Sequence, residues 1–236
     1  NNCASVIAQG KYIFYLNSDT ILLNNAIKIF FDFWESYPNQ ERLGALGCNL
    51  KNEQHEYIRS GGVFPTYKNL VKKQSISIFR RLKKSVQRFL KIVSVQNVPD
   101  QDLSSPIWGN IDYITGADLF LLNNDNKIFD EDYFLYFEET DMEFKLAQKN
   151  LIRMLINGPE IIHRVGGSKG QHLFPVSNFS MVNSQRSAIL FAKKNLNTNA
   201  GLLALLTYIE WLNPYVWPLV RQVKRIIQKQ NKKFLF

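Results

Sequence analysis

Three short polar motifs in this 236-residue chain carry side chains that can do chemistry. The first is Asn17-Ser18-Asp19, which directly follows the apolar run Tyr12–Leu16. A carboxylate at the end of a buried strand, beside a small hydroxyl residue, suits a hard divalent cation such as Mg²⁺ or Mn²⁺. The alternative is that Asp19 only caps a following helix. The pattern therefore indicates a metal ligand or a helix cap.

The second motif is a cluster of three acids, Glu138, Glu139 and Asp141, which follows the apolar and aromatic run 133–137. Crowded carboxylates raise one another's pKa, and one of them can serve as a general base. The alternative is an ordinary first turn of a helix, where acidic side chains complement the helix dipole.

The third motif is His163-Arg164, which precedes the loop Gly166-Gly167-Ser168. A histidine at a strand end can ligate a metal, and a basic glycine-rich loop can close over phosphate groups. The alternative is a structural histidine. His55 and His172 lack surroundings of this kind.

The elements that must position these motifs alternate between strands and helices, which favours an α/β fold. The unbroken apolar run Tyr12–Leu16 is typical of a central strand covered on both faces. Ligands in such sheets bind beyond the carboxyl ends of the strands. A helix is predicted over 20–37, before Pro38. Further strands are predicted near 43–50, 112–123, 152–156 and 160–163, and further helices over 68–95, 138–149 and 180–195.

The order and spacing of these motifs resemble glycosyltransferase family 2, nearest to the rhamnosyltransferase-like enzymes of bacterial surface polysaccharides. The resemblance covers residues 1–195 and rests on GKYIFYLNSDTILL, ITGADLFLLN, FDEDYFLYFEETDMEFKLAQKN and IIHRVGGS. It implies the GT-A fold, a Rossmann-like mixed sheet flanked by helices. It also implies inverting transfer of a sugar from a nucleotide-sugar donor (dTDP-rhamnose or a UDP-sugar) to a surface-polysaccharide or lipid-linked oligosaccharide acceptor.

The resemblance also implies roles for individual residues. Asp19 matches the acid of the family's Asp-x-Asp-type motif that holds Mg²⁺ or Mn²⁺ on the diphosphate, and His163 matches a histidine near that metal. The residues expected to contact substrate are Asn17, Ser18, Gly116, Ala117, Asp118 and Arg164.

Glu138-Glu139 matches the acidic pair that supplies the family's catalytic base, and Asp141 matches a further acid of that motif. The family usually has an aspartate at one position of the pair. The base therefore stays open between Glu138 and Glu139, with the motif register favouring Glu139.

Family members begin with a strand, a helix and a strand that bind the nucleotide base, and this chain resembles the family only from the segment after them. We therefore expect an N-terminally truncated domain that is weakly active or inactive alone. The alternative function is an inactive fragment or an interaction subunit of a split glycosyltransferase.

The charge of +9 is concentrated in two segments. Residues 68–91 hold nine basic residues and residues 211–236 hold six, with no acidic residue in 68–91 or 211–236. We predict a catalytic domain over 1–195 with a basic helical insertion at 68–95, followed by an apolar and basic amphipathic helical tail over 196–236. Tryptophans and cations in that tail are suited to an anionic membrane surface.

Other features of the sequence indicate where in the cell the protein is located. It shows no basic leader, and no run of about 20 apolar residues that would span a bilayer. The two cysteines, Cys3 and Cys48, fit a reducing compartment. We therefore expect a cytoplasmic protein, peripheral at the inner face of the cell membrane. Nucleic-acid binding is disfavoured, because the aromatic residues concentrate in core-like runs instead of alternating with cations.

Overall fold

The computed structural model describes residues 1–89, 103–123, 128–164 and 177–212. The helices are α1 (Asn2–Ile7), α2 (Ala26–Ser36), α3 (Tyr67–Phe89), α4 (Glu138–Gln148) and α5 (Ser177–Asn195), with a short 3-10 helix at Gln40–Arg42 and a helical segment over 201–212. The strands are β1 (Tyr12–Leu16), β2 (Thr20–Leu22), β3 (Leu43–Cys48), β4 (Gly61–Gly62), β5 (Gly109–Asn110), β6 (Tyr113–Ile114), β7 (Asp118–Leu122), β8 (Ile152–Ile156) and β9 (Ile161–His163).

Five strands form the main sheet in the order β1-β7-β3-β8-β5. β3 and β8 are parallel, whereas β7 runs antiparallel to both β1 and β3, and β5 runs antiparallel to β8. The pairs β2–β9 and β4–β6 form two smaller antiparallel sheets. The fold is thus mixed α/β with a mixed sheet flanked by helices, which confirms the sequence prediction at this level.

Alternate residues of β3 and β7 supply two hydrophobic clusters. The first cluster joins Leu46 and Phe120 to the buried stripe of α2, including Phe30 and Trp34. The second joins neighbouring strand residues, such as Ala45, to Met142 of α4 and to other apolar side chains. Because successive strand residues point to opposite faces, these two clusters are the apolar layers on the two sides of the sheet.

The run Tyr12–Leu16 forms an edge strand, although an unbroken apolar run is typical of a central one. β1 lies at one end of the strand order and pairs with β7 alone among the described strands. Its aromatic residues are accommodated by side-chain packing, because Tyr12 stacks on Phe120 with ring centroids 5.0 Å apart. An uninterrupted apolar run therefore reflects contact with α2 and β7 here, and does not require two strand neighbours.

The predicted helix over 20–37 begins later than the sequence indicated. Residues Thr20–Leu22 form β2, which pairs with β9 from far along the chain. The helix begins at Ala26, where Asn25 caps it by accepting a hydrogen bond from Lys28 N at 3.2 Å. Asp19 is therefore not a cap of α2.

The chain divides into two compact units. The first comprises residues 1–64 and 99–191, and the second comprises 65–98 and 192–236. Both basic segments belong to the second unit. Within the described residues, every helix is too short or too polar to cross a bilayer. Predictions that concern residues 90–102, 165–176 and 213–236 lie outside the described residues.

Candidate active site

Two of the predicted site segments meet at one edge of the main sheet. Leu16, the last residue of β1, pairs with Asp118, the first residue of β7. One step further, Asn17 N donates to the carbonyl oxygen of Ala117 at 3.1 Å. This antiparallel pairing places Asn17-Ser18-Asp19 beside the 116–118 segment. Side chains from two distant parts of the sequence can therefore act on one ligand.

A tight turn presents the Asn17-Ser18-Asp19 motif. Both the backbone N and the Oγ1 of Thr20 donate to Asn17 O, at 3.2 and 2.7 Å. These bonds close the chain between β1 and β2 and leave Ser18 and Asp19 at the tip of the turn. Ser18 is exposed and Asp19 is half-buried, so both are available to a ligand at this edge.

The structure brings Asp19 and His163 together. Thr20 of β2 lies opposite His163 of β9 in the two-stranded sheet. As a result, His163 Nε2 lies 3.3 Å from Asp19 Oδ1. The backbone of the next residue also joins the end of β9 to the turn before β2, because Arg164 N donates to Asp19 O at 2.8 Å. An oxygen and a nitrogen donor therefore converge at one point.

This donor pair fits a divalent cation that takes its other ligands from substrate oxygens and water. Mg²⁺ in proteins is commonly held by one or two carboxylates plus substrate phosphates, and imidazole is an accepted ligand of transition metals. The described residues do not supply a complete set of protein ligands for a metal ion. Among the described residues, no group of three His, Cys, Asp or Glu side chains is placed to hold a metal ion.

The acidic motif opens α4 through an unusual backbone conformation. Tyr136 and Phe137 both have a positive φ, of 66° and 70°. The left-handed region is costly for bulky residues, and such conformations concentrate at functional sites. Packing compensates part of this cost, since the ring of Phe137 lies 5.6 Å from that of Phe191. The chain thereby enters α4 at a fixed angle, with Glu138 as its first residue.

Glu139 has the protonation properties of a general base. Burial raises the pKa of Glu139 to about 7, and the neighbouring charge of Glu138 adds to the rise. Burial also raises the pKa of Glu138. Both side chains keep partial solvent exposure. A carboxylate that titrates near neutrality and remains accessible can accept a proton from a substrate hydroxyl.

Gly116 connects the acidic pair to the β1 edge. A Cβ built on Gly116 would lie 3.5 Å from both Cγ and Cδ of Glu139, so the Glu139 side chain passes directly over this glycine. Its neighbour Ala117 is the residue that accepts the hydrogen bond from Asn17. The turn before β7 therefore links the Asn17-Ser18-Asp19 motif on one side to Glu139 on the other.

No family model matches the chain, and no curated protein matches it significantly.

Asp141 is held in a structural network. It is fully buried, Tyr133 OH donates to its Oδ1 at 3.1 Å, and Lys145 Nζ lies 2.7 Å from its Oδ2. A carboxylate engaged on both oxygens is better suited to positioning the first turn of α4 than to accepting a proton. Its predicted catalytic role stays a prediction.

Asp118 is buried at the start of β7, where solvent does not reach it. Its Oδ2 accepts a hydrogen bond from Cys48 N at 2.7 Å, which ties β7 to β3. Its Oδ1 has no hydrogen-bond partner among the described residues. Burial raises the pKa of Asp118 to about 8. The residue is thus a sheet-bridging acid, and its predicted contact with substrate stays a prediction.

Arg164 lies at the same junction, but its side chain is directed towards a neighbouring loop. Its Nε lies 2.9 Å from Glu53 Oε1, and both side chains are more than half exposed. Such an exposed ion pair contributes little stability, so a substrate phosphate can compete for the guanidinium. The glycine-rich loop that follows lies outside the described residues.

Glu143 belongs to this site but was not predicted from the sequence. It is fully buried, and Ile114 N donates to both of its carboxylate oxygens, at 2.9 and 3.0 Å. Burial raises the pKa of Glu143 well above its usual value, and the charge of Glu139 adds to the rise. Its spacing of four residues from Glu139 placed it on the same helix face, which is the signal that could have found it.

A cavity of about 370 Å³ lies near the start of β3 and the end of β7, away from the start of β7 where these residues meet. Its lining combines apolar side chains near the start of β3, such as Leu43, with Lys145 of the last turn of α4 and Lys149, which directly follows that helix. None of the predicted site residues lines it. It is therefore separate from the candidate active site.

Proposed function

We propose that this chain is the catalytic part of an inverting glycosyltransferase of the GT-A type, related to family 2 and to its rhamnosyltransferase-like branch. The donor is a nucleotide-sugar, either dTDP-rhamnose or a UDP-sugar. The acceptor is a hydroxyl of a surface polysaccharide or a lipid-linked oligosaccharide. The mixed sheet, with the family-like segments gathered at one edge, supports the fold assignment.

The observation that carries this proposal is the environment of Glu139. Its carboxyl has a pKa raised to about 7 by burial and lies against Gly116, in the segment that adjoins the Asn17-Ser18-Asp19 turn. A base in the segment next to the proposed diphosphate site is the arrangement that a single-displacement glycosyl transfer requires. Glu139 is therefore the proposed base, in preference to Glu138.

The reaction needs one proton transfer and one displacement. Glu139 accepts the proton of the acceptor hydroxyl while that oxygen attacks the anomeric carbon of the donor. The bond from the anomeric carbon to the diphosphate oxygen breaks, and the nucleoside diphosphate leaves with the bonding electron pair. Attack from the face opposite the leaving group inverts the configuration, and no protein nucleophile is needed.

Asp19 and His163 are the residues that would hold Mg²⁺ or Mn²⁺ on the diphosphate. A divalent cation bound there would neutralise the charge that develops on the leaving group. The backbone of Arg164 belongs to the same junction, because its N donates to Asp19 O. Its exposed guanidinium pairs with Glu53 and can exchange that partner for a phosphate oxygen of the donor. Ser18, exposed at the tip of the turn, is positioned to contact the same part of the donor.

The proposed location follows from the acceptor. A transferase that acts on a lipid-linked or surface-bound glycan works at the inner face of the cell membrane, and the two basic segments support attachment to anionic lipid.

The test is calorimetric titration of the purified chain with dTDP and UDP, with and without Mn²⁺, followed by a screen of nucleotide-sugars for transfer. We expect binding that depends on the metal and is weakened at least tenfold by Asp19→Asn. Asp32→Asn, on an exposed face of α2, is the matched control and leaves binding unchanged. Absence of metal-dependent binding would contradict the proposal. Transfer to an acceptor would contradict the interaction subunit, whereas binding without transfer is expected both of that subunit and of a truncated catalytic domain.

A further inference from the structure

The helical segment over 201–212 exposes large apolar side chains with the spacing of a coiled-coil seam. Leu202, Leu205, Ile209 and Leu212 follow one another at intervals of three, four and three residues. These intervals are those of the a and d positions of a heptad, at which two helices interlock. The four side chains are between 42% and 55% exposed, and Tyr208 beside them is 58% exposed. This seam is therefore shaped to receive a second helix.

The opposite side of the segment is packed. Leu203, Thr207 and Glu210 are all buried there. Thr207 is two residues from both Leu205 and Ile209, which is a rotation of about 200° around an α-helix. The segment therefore has one side that is packed within its own chain, and the seam lies on the other side.

A buried polar network keeps the seam turned away from α3, which belongs to the same compact unit. Glu210 accepts hydrogen bonds from Gln74 Nε2 at 2.6 Å and from Ser77 Oγ at 2.7 Å. The Nε of Arg81 lies 2.5 Å from Glu210 Oε1. Because these three residues of α3 hold Glu210, the packed side of 201–212 faces α3. The seam is therefore a fixed apolar surface on the side of the segment away from α3.

From these features we infer that the seam of 201–212 pairs with the same seam of a second copy of this chain, so that the protein forms a homodimer. Exposed apolar patches mark interaction sites. A seam of a and d side chains is complementary to itself, because each side chain inserts between four residues of the facing helix. A two-fold contact uses the same patch on both copies, which is the commonest arrangement of homo-oligomers.

The charge of the segment favours a second copy over a lipid surface as the occupant of the seam. Helices that lie in a membrane interface carry Lys and Arg on their polar face. The 201–212 segment contains neither residue type, and its one charged residue, Glu210, is buried against α3. The seam therefore offers apolar contact without a cation for a lipid headgroup, and an identical apolar seam complements it.

The basic residues of α3 do not prevent this pairing. Since packed helix axes lie about 8–10 Å apart, the two α3 helices of such a dimer are separated by three spacings, roughly 24–30 Å. That separation exceeds the Debye length of about 8 Å at physiological ionic strength, so the repulsion between the α3 helices is screened. The seam is only about 15 Å long. We therefore expect a reversible dimer with a dissociation constant of about 1–100 µM, as for other small interfaces.

This inference stands apart from the proposed transferase activity, because its readout is molecular mass. The full chain is analysed by sedimentation velocity without lipid, at concentrations from about 1 to 200 µM, which bracket the expected dissociation constant. We expect a monomer–dimer equilibrium that shifts to dimer as the concentration rises. High salt should leave the dimer intact, since screening weakens charge pairs and leaves apolar contacts in place.

Variants at the centre of the seam assign the dimer to this surface. The double variant Leu205→Gln, Ile209→Gln is expected to raise the dissociation constant by about tenfold or more, because it places polar amides at two apolar seam positions. Leu205→Gln alone is expected to raise it roughly fivefold. The matched control is Ile7→Gln with Val63→Gln, at exposed apolar sites in the first unit, which should dimerise like wild type.

Circular dichroism confirms that each variant is folded. A wild-type chain that stays monomeric at the highest concentration would overturn the inference. A dimer that persists unchanged in the folded seam variants would also overturn it and assign the contact to another surface. A monomeric wild type that binds phosphatidylcholine vesicles through the seam, with binding lost in the double variant, would identify lipid as the occupant and would overturn it as well.

Discussion

At the scale of single residues, Glu139 is distinguished from the other acids of its motif by its surroundings. Asp141 is paired with Lys145, and Glu143 is bonded to the backbone of Ile114. Glu139 instead lies over Gly116 and keeps partial exposure. Three acids of α4 therefore have three different environments, and one of these leaves a carboxylate accessible to an acceptor hydroxyl.

We predict that Glu139→Gln reduces transfer by roughly 10²–10⁴-fold while leaving nucleotide binding intact, because the amide cannot accept the proton. Wild-type activity should fall about tenfold per pH unit below pH 7, since the pKa of Glu139 is raised to about 7 and the protonated carboxyl is inactive. The measurement is a pH profile of kcat/KM. Glu41→Gln, an exposed acid in the short 3-10 helix, is the control. A Glu139→Gln variant with the wild-type pH profile of kcat/KM would show that another residue is the base.

A second prediction about a single residue concerns the buried carboxyl of Asp118. Its pKa is raised from 3.8 to about 8, so the folded protein holds this proton in a pH range where the unfolded chain has lost it. Stability contributed by the neutral carboxyl is therefore present at low pH and is lost as pH rises from about 4 to about 8. Asp118→Asn mimics the neutral form and should flatten the pH dependence of Tm across this window. The control is Asp32→Asn. A parallel pH dependence in wild type and Asp118→Asn would show that Asp118 is ionised in the folded state.

At the scale of elements, close approach between β3 and the start of β7 builds the site edge. A Cβ on Gly47 would lie 2.5 Å from Ile114 Cγ2 and 3.0 Å from the backbone oxygen of Asp118. The glycine therefore permits the contact that places Asp118 and the preceding turn. The same turn carries Gly116, where a Cβ would make ordinary contact with Glu139.

This difference predicts opposite behaviour for two similar substitutions. Gly47→Ala should lower the free energy of unfolding by about 1–3 kcal/mol, because a backbone atom cannot move aside easily. Gly116→Ala should remain near wild-type stability and reduce transfer by narrowing the space beside Glu139. Denaturant unfolding and activity are measured for both variants. A stable Gly47→Ala would show that β3 and β7 are further apart than described.

At the scale of the whole molecule, the chain comprises two compact units of different character. The first contains the mixed sheet and the acids and histidine of the candidate site. The second contains α3 and the 201–212 segment, whose polar contact centres on the buried Glu210. The candidate site and the buried network around Glu210 therefore belong to different units of one chain.

We predict that Glu210→Ala destabilises the second unit by about 1–3 kcal/mol, because Gln74, Ser77 and Arg81 lose the buried carboxylate that they contact. Glu210→Gln keeps two hydrogen bonds and should cost less. Hydrogen exchange of the α3 amides measures the effect, and the strands of the main sheet report on the first unit. Undiminished protection of α3 in Glu210→Ala would mean that apolar packing alone holds the two helices.

The sequence by itself determined the elements whose patterns are local. The apolar run of β1, the buried strand β3, the acidic start of α4 and the strands β8 and β9 were each predicted near their observed bounds. The position of the polar motifs at strand ends also followed from sequence. Such features depend on hydrophobic periodicity and on flanking polar residues, and both signals lie within a few positions of the element that they predict.

Tertiary structure alone decided the rest, because the deciding partners lie far apart in the chain. Thr20–Leu22 is a strand since β9 pairs with it, although its own sequence favoured a helix. The same pairing brings His163 to Asp19. Asp118 is buried because β3 covers it, and Glu210 is buried because α3 supplies its partners. Long-range hydrogen bonds and burial set the environment of each ionisable group, and sequence spacing carries little information about either.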